Sequence, residues 1–218
     1  MDNKNMENLI NRGIIAINQK KHNTSLPLNI LVMGLSRSGT SMTAIVLEEL
    51  GVFMGKEKDN IVHEDLEIVD MLEKNNEIAK FKNLIQERNK KYGIWGWKRP
   101  HAYEYLSKTK DLLTNPHFIF MFRDPLAIAI RNKIATKVDP MVNLERTIRE
   151  YQNFFKSITS TKYPTLLISY EKIISNKQYF VEYLNDYFNI NCSPEQLKKA
   201  ALSIQPNKKD YIYNARVK

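Results

Sequence analysis

Apolar positions along this chain recur in two rhythms, and the two alternate. Leu28–Met33 is an almost unbroken apolar run closing on Gly34, the pattern of a strand buried on both faces. Thr40–Leu50 then spaces its apolar residues as a helix does, with Gly51 as its stop. Glu64–Lys80 reads as a further helix, with Leu66, Val69, Leu72 and Ile78 on or near one face. Ile94–Trp97 is a short strand, Ala102–Leu113 a helix and Phe118–Phe122 the next strand. Pro125–Thr136 is a helix with proline in its first turn, Leu144–Ile158 an amphipathic helix and Thr165–Ser169 a fourth strand. Helices over 171–188 and 194–203 follow. Ahead of the first strand, Met6, Leu9, Ile10, Ile14, Ile15 and Ile17 predict a short amphipathic helix over residues 6–19, set off by the polar stretch Lys20–Leu26.

Strands alternating with helices predict an α/β fold: a three-layer sandwich around a central, mostly parallel sheet, with a P-loop after the first strand. No repeat, low-complexity tract or long linker interrupts the pattern, so the chain divides into an N-terminal helical extension (1–27) and one domain (28–218).

Composition narrows the function classes. The chain carries 33 basic and 24 acidic residues, a net charge of +9. That favours anionic partners such as nucleotides, nucleic acid, sulfated or phosphorylated acceptors, or a membrane surface, or else is a basic solvated face. The basic residues are dispersed and no stacking module is evident, so nucleic acid is not the expected partner. A single cysteine, Cys192, rules out an internal disulfide framework and a cysteine-rich zinc site. No carboxylate or histidine cluster has metal-ligand spacing, so no metal is expected. No apolar run approaches the roughly 20 residues of a membrane span. With a polar N-terminal segment, the expected setting is cytoplasmic.

The first strand leads into Gly34-Leu35-Ser36-Arg37-Ser38-Gly39-Thr40-Ser41 and then a helix. Glycines allow the tight turn, successive N–H groups converge on an anion, and the helix N-terminus adds partial positive charge. Ser38, Thr40 and Ser41 add hydroxyls. The spacing of Gly34 and Gly39 is that of a nucleoside-triphosphatase loop, but Thr40 stands where that motif has its lysine, and the cation is Arg37 instead. Losing the lysine argues against ATP hydrolysis or kinase chemistry.

Arg37-Ser38-Gly39-Thr40-Ser41 resembles the 5′-phosphosulfate loop of sulfotransferases that use 3′-phosphoadenosine 5′-phosphosulfate (PAPS). Further segments match in order. Val62-His63-Glu64-Asp65-Leu66-Glu67 resembles the Glu-Asp helix start of bacterial and glycan-type members. Trp95-Gly96-Trp97-Lys98-Arg99-Pro100 is similar to their Trp-Gly-Trp-Lys-Asp-Pro. Phe122-Arg123-Asp124-Pro125 resembles their 3′-phosphate strand-loop-helix, and Ile168-Ser169-Tyr170-Glu171 a strand ending in Tyr-Glu. The likeness spans roughly residues 29–188.

The resemblance implies a sulfotransferase-like P-loop domain that moves a sulfuryl group from PAPS to an acceptor hydroxyl, on a carbohydrate by the likeness to glycan-type members, leaving adenosine 3′,5′-bisphosphate. Ser38, Gly39, Thr40 and Ser41 would cradle the phosphosulfate, Arg37 and Lys98 would be its cations, and Arg123 and Tyr170 would hold the nucleotide. Glu64 or His101 would be the base. His101 stands three residues after Lys98, across a proline, where relatives have two. Two departures stand out. Arg131 replaces the usual serine eight residues after Arg123, making that contact itself or leaving it to Asn132. Arg99 replaces the common aspartate, which tilts the acceptor side toward anions. Lys208, Lys209 and Arg216 are either late cations for the 3′-phosphate or a solvated basic end. The rival classes are a P-loop phosphotransferase, in which Asp124 would serve magnesium rather than cap a helix, and a non-catalytic nucleotide-binding protein.

Overall fold

The computed structural model describes residues 11–19, 25–56 and 63–206. Its strands are β1 (Ile14–Ile17), β2 (Leu28–Gly34), β3 (Ile94–Lys98), β4 (Pro116–Phe122) and β5 (Thr165–Ser169). They form one sheet in the order β1-β5-β4-β2-β3. β2 through β5 are mutually parallel, and only β1, at the edge, runs antiparallel to its neighbour β5. The helices are α1 (Thr40–Glu49), α2 (Leu66–Val69), α3 (Ile78–Lys91), α4 (Leu106–Thr109), α5 (Pro125–Thr136), α6 (Pro140–Ser160), α7 (Tyr170–Ser175), α8 (Lys177–Phe188) and α9 (Pro194–Ser203).

The period of two along the central strands sorts side chains into two cores. Ile30 and Val32 of β2 and Ile119 and Met121 of β4 face one side, packed with Val46 and Leu47 of α1, Phe180 and Leu184 of α8 and Ala200 of α9. Leu31, Met33, Phe118 and Phe120 face the other, with Phe81 and Ile85 of α3 and Phe154 and Ile158 of α6. Both faces are covered, so the strands read as continuous apolar runs rather than alternating ones. Each fully buried Phe, Ile or Leu contributes about 1.5–3 kcal/mol. The architecture is the expected α/β sandwich.

Several elements differ from the sequence expectation. Ile14, Ile15 and Ile17 lie in a strand, not in a helix over 6–19; Met6, Leu9 and Ile10 fall outside the described residues. Branched Cβ atoms favour extended backbone, and the open edge of β5 supplies the ladder, pairing Ile14 with Ile168 and Ile17 with Thr165. The P-loop therefore follows the second strand in the chain, which is the first of the parallel set. The single helix expected over Glu64–Lys80 is α2, a π-helical turn at Asp70–Lys74, and a break before α3. Asn76 marks the break with a φ of 51°, a left-handed conformation that asparagine tolerates. The segment Ala102–Leu113 is α4 flanked by two 3₁₀ turns, Ala102–Glu104 and Lys110–Leu112. Asn176 divides the expected 171–188 helix into α7 and α8. No helix among the described residues is long and apolar enough to cross a membrane.

Candidate functional site

Because β2, β3, β4 and β5 are parallel, their C-terminal ends lie at one edge of the sheet, the edge at which open α/β folds bind ligands. Each end delivers a residue singled out in the sequence: the Gly34–Ser41 loop after β2, Lys98 closing β3, Arg123 just past β4 and Tyr170 just past β5.

The loop is tight and buried. The Ser38 N–H donates to the Leu35 carbonyl at 3.1 Å, and the Gly34 N–H donates to the Pro100 carbonyl at 3.0 Å. Arg37 and Gly39 take positive φ, 69° and 102°. Gly39 begins α1 without a side-chain cap, and the helix N-terminus brings its partial positive charge to the loop. Arg37, Ser38, Thr40 and Ser41 are all buried. Ser38 Oγ has no hydrogen-bond partner among the described residues. A buried hydroxyl left so costs about 1–3 kcal/mol, which an incoming anion would relieve.

Arg123, Tyr170 and the loop form one contact chain. Arg123 Nη1 donates to the Arg37 carbonyl at 2.9 Å. Its guanidinium carbon lies 4.2 Å from the centroid of the Tyr170 ring, a cation–π contact. The Tyr170 ring in turn packs on Gly39. Tyr151 of α6 fixes the Arg123 backbone from both sides: its hydroxyl accepts from the Arg123 N–H at 2.8 Å and donates to the Arg123 carbonyl at 2.6 Å. Burial pushes the Tyr151 phenol up to about 12, so it stays a donor at neutral pH. Glu171 accepts from the Asp124 N–H at 3.0 Å. Asp124 caps α5 by accepting from the Leu126 N–H at 2.9 Å, the helix-cap role. Arg131 lies half-buried two turns further along α5, and the Oδ1 of neighbouring Asn132 is buried without a hydrogen-bond partner.

The second cluster surrounds Lys98, which is buried. Its Nζ donates to Glu64 Oε1 at 3.1 Å. Arg99 Nη1 donates to the other oxygen of Glu64, while Arg99 Nε and Nη2 grip Glu73, Nε at 2.6 Å. Three nitrogens of Arg99 are thereby engaged by Glu73 and Glu64, so its charge is balanced within the cluster. Burial opposes the Arg99 charge, but the Glu73 hydrogen bond and the charges of Glu64 and Glu73 outweigh it and hold the guanidinium above its ordinary value. Glu64 itself precedes the helix start. Asp65 is the cap of α2, accepting from the Ile68 N–H at 3.3 Å and from Arg88 at 2.5 Å.

His101 bridges to the loop. Its Nε2 lies 3.1 Å from Ser36 Oγ and its Nδ1 3.2 Å from the Tyr103 hydroxyl. Burial pushes the Tyr103 phenol far above its ordinary value, so it keeps its proton. The Tyr103 hydroxyl can donate to Nδ1 or accept from it, and Glu104 Oε1 lies 3.7 Å from the same nitrogen, so both neutral tautomers of His101 fit these contacts.

Sequence reasoning missed Glu73, Tyr151 and Arg88. None stands near its partner in the chain: Arg88 is 23 residues from Asp65 and Tyr151 is 28 from Arg123. Lys208, Lys209 and Arg216 fall outside the described residues.

No protein-family model and no curated protein matches the chain. Among solved structures, the sulfotransferase domain from the Synechococcus PCC 7002 olefin synthase is 15% identical, with a TM-score of 0.55, over 86% of this chain and 84% of that one. Shikimate kinase from Bacteroides thetaiotaomicron (13% identical, TM-score 0.45, 74% of this chain and 98% of that one) and retinol dehydratase in complex with retinol and PAP (11%, 0.44, 93% and 70%) lie further off and carry no weight for function. In fold, this chain is matched to a sulfotransferase domain, the family that its loop and strand-end motifs resemble.

Proposed function

We propose that the chain is a sulfotransferase that moves a sulfuryl group from PAPS to an acceptor hydroxyl. The observation that carries this reading is Ser38. Its hydroxyl is buried and, among the described residues, unpartnered, inside a loop that leads into an α1 N-terminus without a side-chain cap and adjoins Arg37, Arg123 and Tyr170. An anionic group seated there would receive several hydrogen bonds, each worth roughly 1.5–3 kcal/mol to a charged oxygen.

In this reading the acceptor oxygen attacks sulfur in line. A new O–S bond forms as the bond from sulfur to the 5′-phosphate oxygen breaks, and adenosine 3′,5′-bisphosphate leaves with the electron pair. Arg37 and Lys98 stabilise the charge growing on the departing oxygen. The acceptor proton passes to Glu64. Glu64 is preferred to His101 because its carboxylate stands beside Lys98, the cation assigned to the departing oxygen, whereas both ring nitrogens of His101 are engaged by Ser36 and Tyr103. Arg123 takes oxygens of the 3′-phosphate through its planar fork, Tyr170 borders the nucleotide, and Arg131 or Asn132 replaces the usual serine. The acceptor is a carbohydrate by the likeness of the Glu64 segment to glycan-type members, and the setting is cytoplasmic by the single cysteine.

The phosphotransferase reading is disfavoured by Thr40 in the lysine position. Calorimetric titration decides between them. Adenosine 3′,5′-bisphosphate should bind well, magnesium-ATP poorly, and Arg123→Ala should weaken the former by about tenfold or more. Preference for magnesium-ATP would overturn the proposal. An acceptor screen comparing carbohydrates with lipid alcohols and phenols would then test the substrate class.

A further inference from the structure

Position 99 inverts the charge of the segment it resembles, and the fold answers with an acid. Glu73 sits on the π-helical turn Asp70–Lys74, which places one residue more per hydrogen-bonded ring than an α-turn. It takes two nitrogens of Arg99, and the third goes to Glu64. The other oxygen of Glu64 takes Lys98. Four charges thus form one line, Glu73–Arg99–Glu64–Lys98, with side-chain exposures of 26, 17, 12 and 1%. Lys98, the most buried, is paired in the sheet with Val32, two residues before the phosphate loop begins.

We propose that Arg99, anchored by Glu73, is a positioning residue that sets how firmly Glu64 holds Lys98, and so how much of the Lys98 charge reaches the 5′-phosphate of a bound nucleotide. The inference rests on the reading that Lys98 serves that phosphate. A carboxylate between two cations divides its attraction. Without Arg99, Glu64 acts on Lys98 alone, at short range and away from water, where charge interactions are several times stronger than in solvent. Lys98 is then drawn off the phosphate. Without the Glu73 charge, Arg99 turns wholly to Glu64 and loosens Lys98. Without the Glu64 charge, the pull of that carboxylate on Lys98 is gone, and Arg99 has no route to Lys98 through it.

The test is calorimetric titration with adenosine 3′,5′-bisphosphate, which needs no acceptor. Arg99→Gln should weaken binding by about tenfold, Glu73→Gln should tighten it several-fold, and Glu64→Gln should tighten it as well, within the range that contacting residues couple. Adding Arg99→Gln to Glu64→Gln should then change affinity by less than about twofold, because the coupling runs through Glu64. Arg99→Lys keeps the charge but not the fork, so it should weaken binding in the Glu64 protein and not in the Glu64→Gln protein. It also stands in if Arg99→Gln fails to fold. A loss on Arg99→Gln that is equal in the Glu64 and Glu64→Gln backgrounds would mean a long-range field alone and overturn the proposal. Absence of bisphosphate binding by folded wild type would instead overturn the nucleotide reading beneath it.

Discussion

The ring of Tyr170 lies so close to Gly39 that a Cβ built on the glycine would stand 2.5 Å from Cδ2 of the tyrosine. The loop after β2 and the start of α7 therefore meet without room for a methyl group. The same tyrosine carries the guanidinium of Arg123 on its face, so one residue couples the loop to the opposite arm of the site.

Gly39→Ala should fail on two counts: the clash with Tyr170, and a φ of 102° that a side chain rarely adopts. The expected outcome is a loss of about 1–3 kcal/mol in stability. Bisphosphate affinity should fall by more than stability predicts, since displacing Tyr170 also moves Arg123. Calorimetric unfolding and titration on the same variant would separate the two effects. Unchanged affinity would mean that the Gly39 turn does not shape the anion site.

Tyr151→Phe removes a hydroxyl that satisfies both the N–H and the carbonyl of Arg123. Two backbone groups then lose a partner, at about 1–3 kcal/mol for each group left unsatisfied in the interior. The wild-type phenol also makes stability pH-dependent. Its folded value, raised by burial to about 12, exceeds the ordinary 10, so the folded state holds the proton more tightly. The stabilisation is complete below pH 10 and is lost as pH rises from 10 toward 12. Urea unfolding across that window should show a steeper decline in wild type than in Tyr151→Phe; parallel declines would contradict the assignment.

Much of the sheet is written in local pattern. Leu28–Gly34 and Thr165–Ser169 are apolar because both faces of the strand are covered, and that reads directly from the chain. Pro125 and Asp124 announce α5 as a helix start does, by a fixed φ and a capping carboxylate. The loop glycines and Arg37 are adjacent in sequence, so the anion cradle is legible too. The elements that misled owe their form to partners far away. Ile14–Ile17 is a strand because β5 offers an edge, and a helical spacing of isoleucines cannot reveal that edge. The break at Asn75-Asn76 hides in a run whose apolar residues keep helical spacing on both sides, and α3 beyond it went unread. Arg99 looked like a free cation because Glu73 is 26 residues away and reaches it only through the π-helical turn.

Arg88 makes the case for distant pairing most sharply. Its side chain is 6% exposed, and it holds Asp65, 0% exposed, at 2.5 Å and Glu67 at 2.9 Å. It also lies over the rings of Phe53 and Trp95, 5.5 and 5.2 Å from their centroids. Arg88→Met should destabilise by about 3–5 kcal/mol, because Asp65 is left charged and buried without its cation. Adding Asp65→Asn, which removes that charge, should return part of the loss. Urea denaturation at constant m-value measures both. A double variant no more stable than Arg88→Met alone would mean that the packing of the guanidinium, rather than the charge pair, carries the stability.

Glu64 and His101 compete for one role, and their hydrogen bonds predict different outcomes. Sulfate release from PAPS to water, with water standing in for the acceptor, still needs a base and the same cations on the leaving oxygen. Glu64→Gln keeps the shape of the side chain but cannot take the proton, and a positioned base contributes about 10²–10⁴-fold. The rate should fall by at least that lower figure, while bisphosphate binding tightens because the Glu64 charge no longer pulls on Lys98. His101→Asn should lower the rate by only about threefold, since an amide can donate to Ser36 or accept from it as the imidazole does. The reverse order, with His101→Asn inactive and Glu64→Gln active, would reassign the base to His101. It would also mean that Tyr103 accepts from Nδ1 rather than donating to it, leaving the Nε2 lone pair toward the loop.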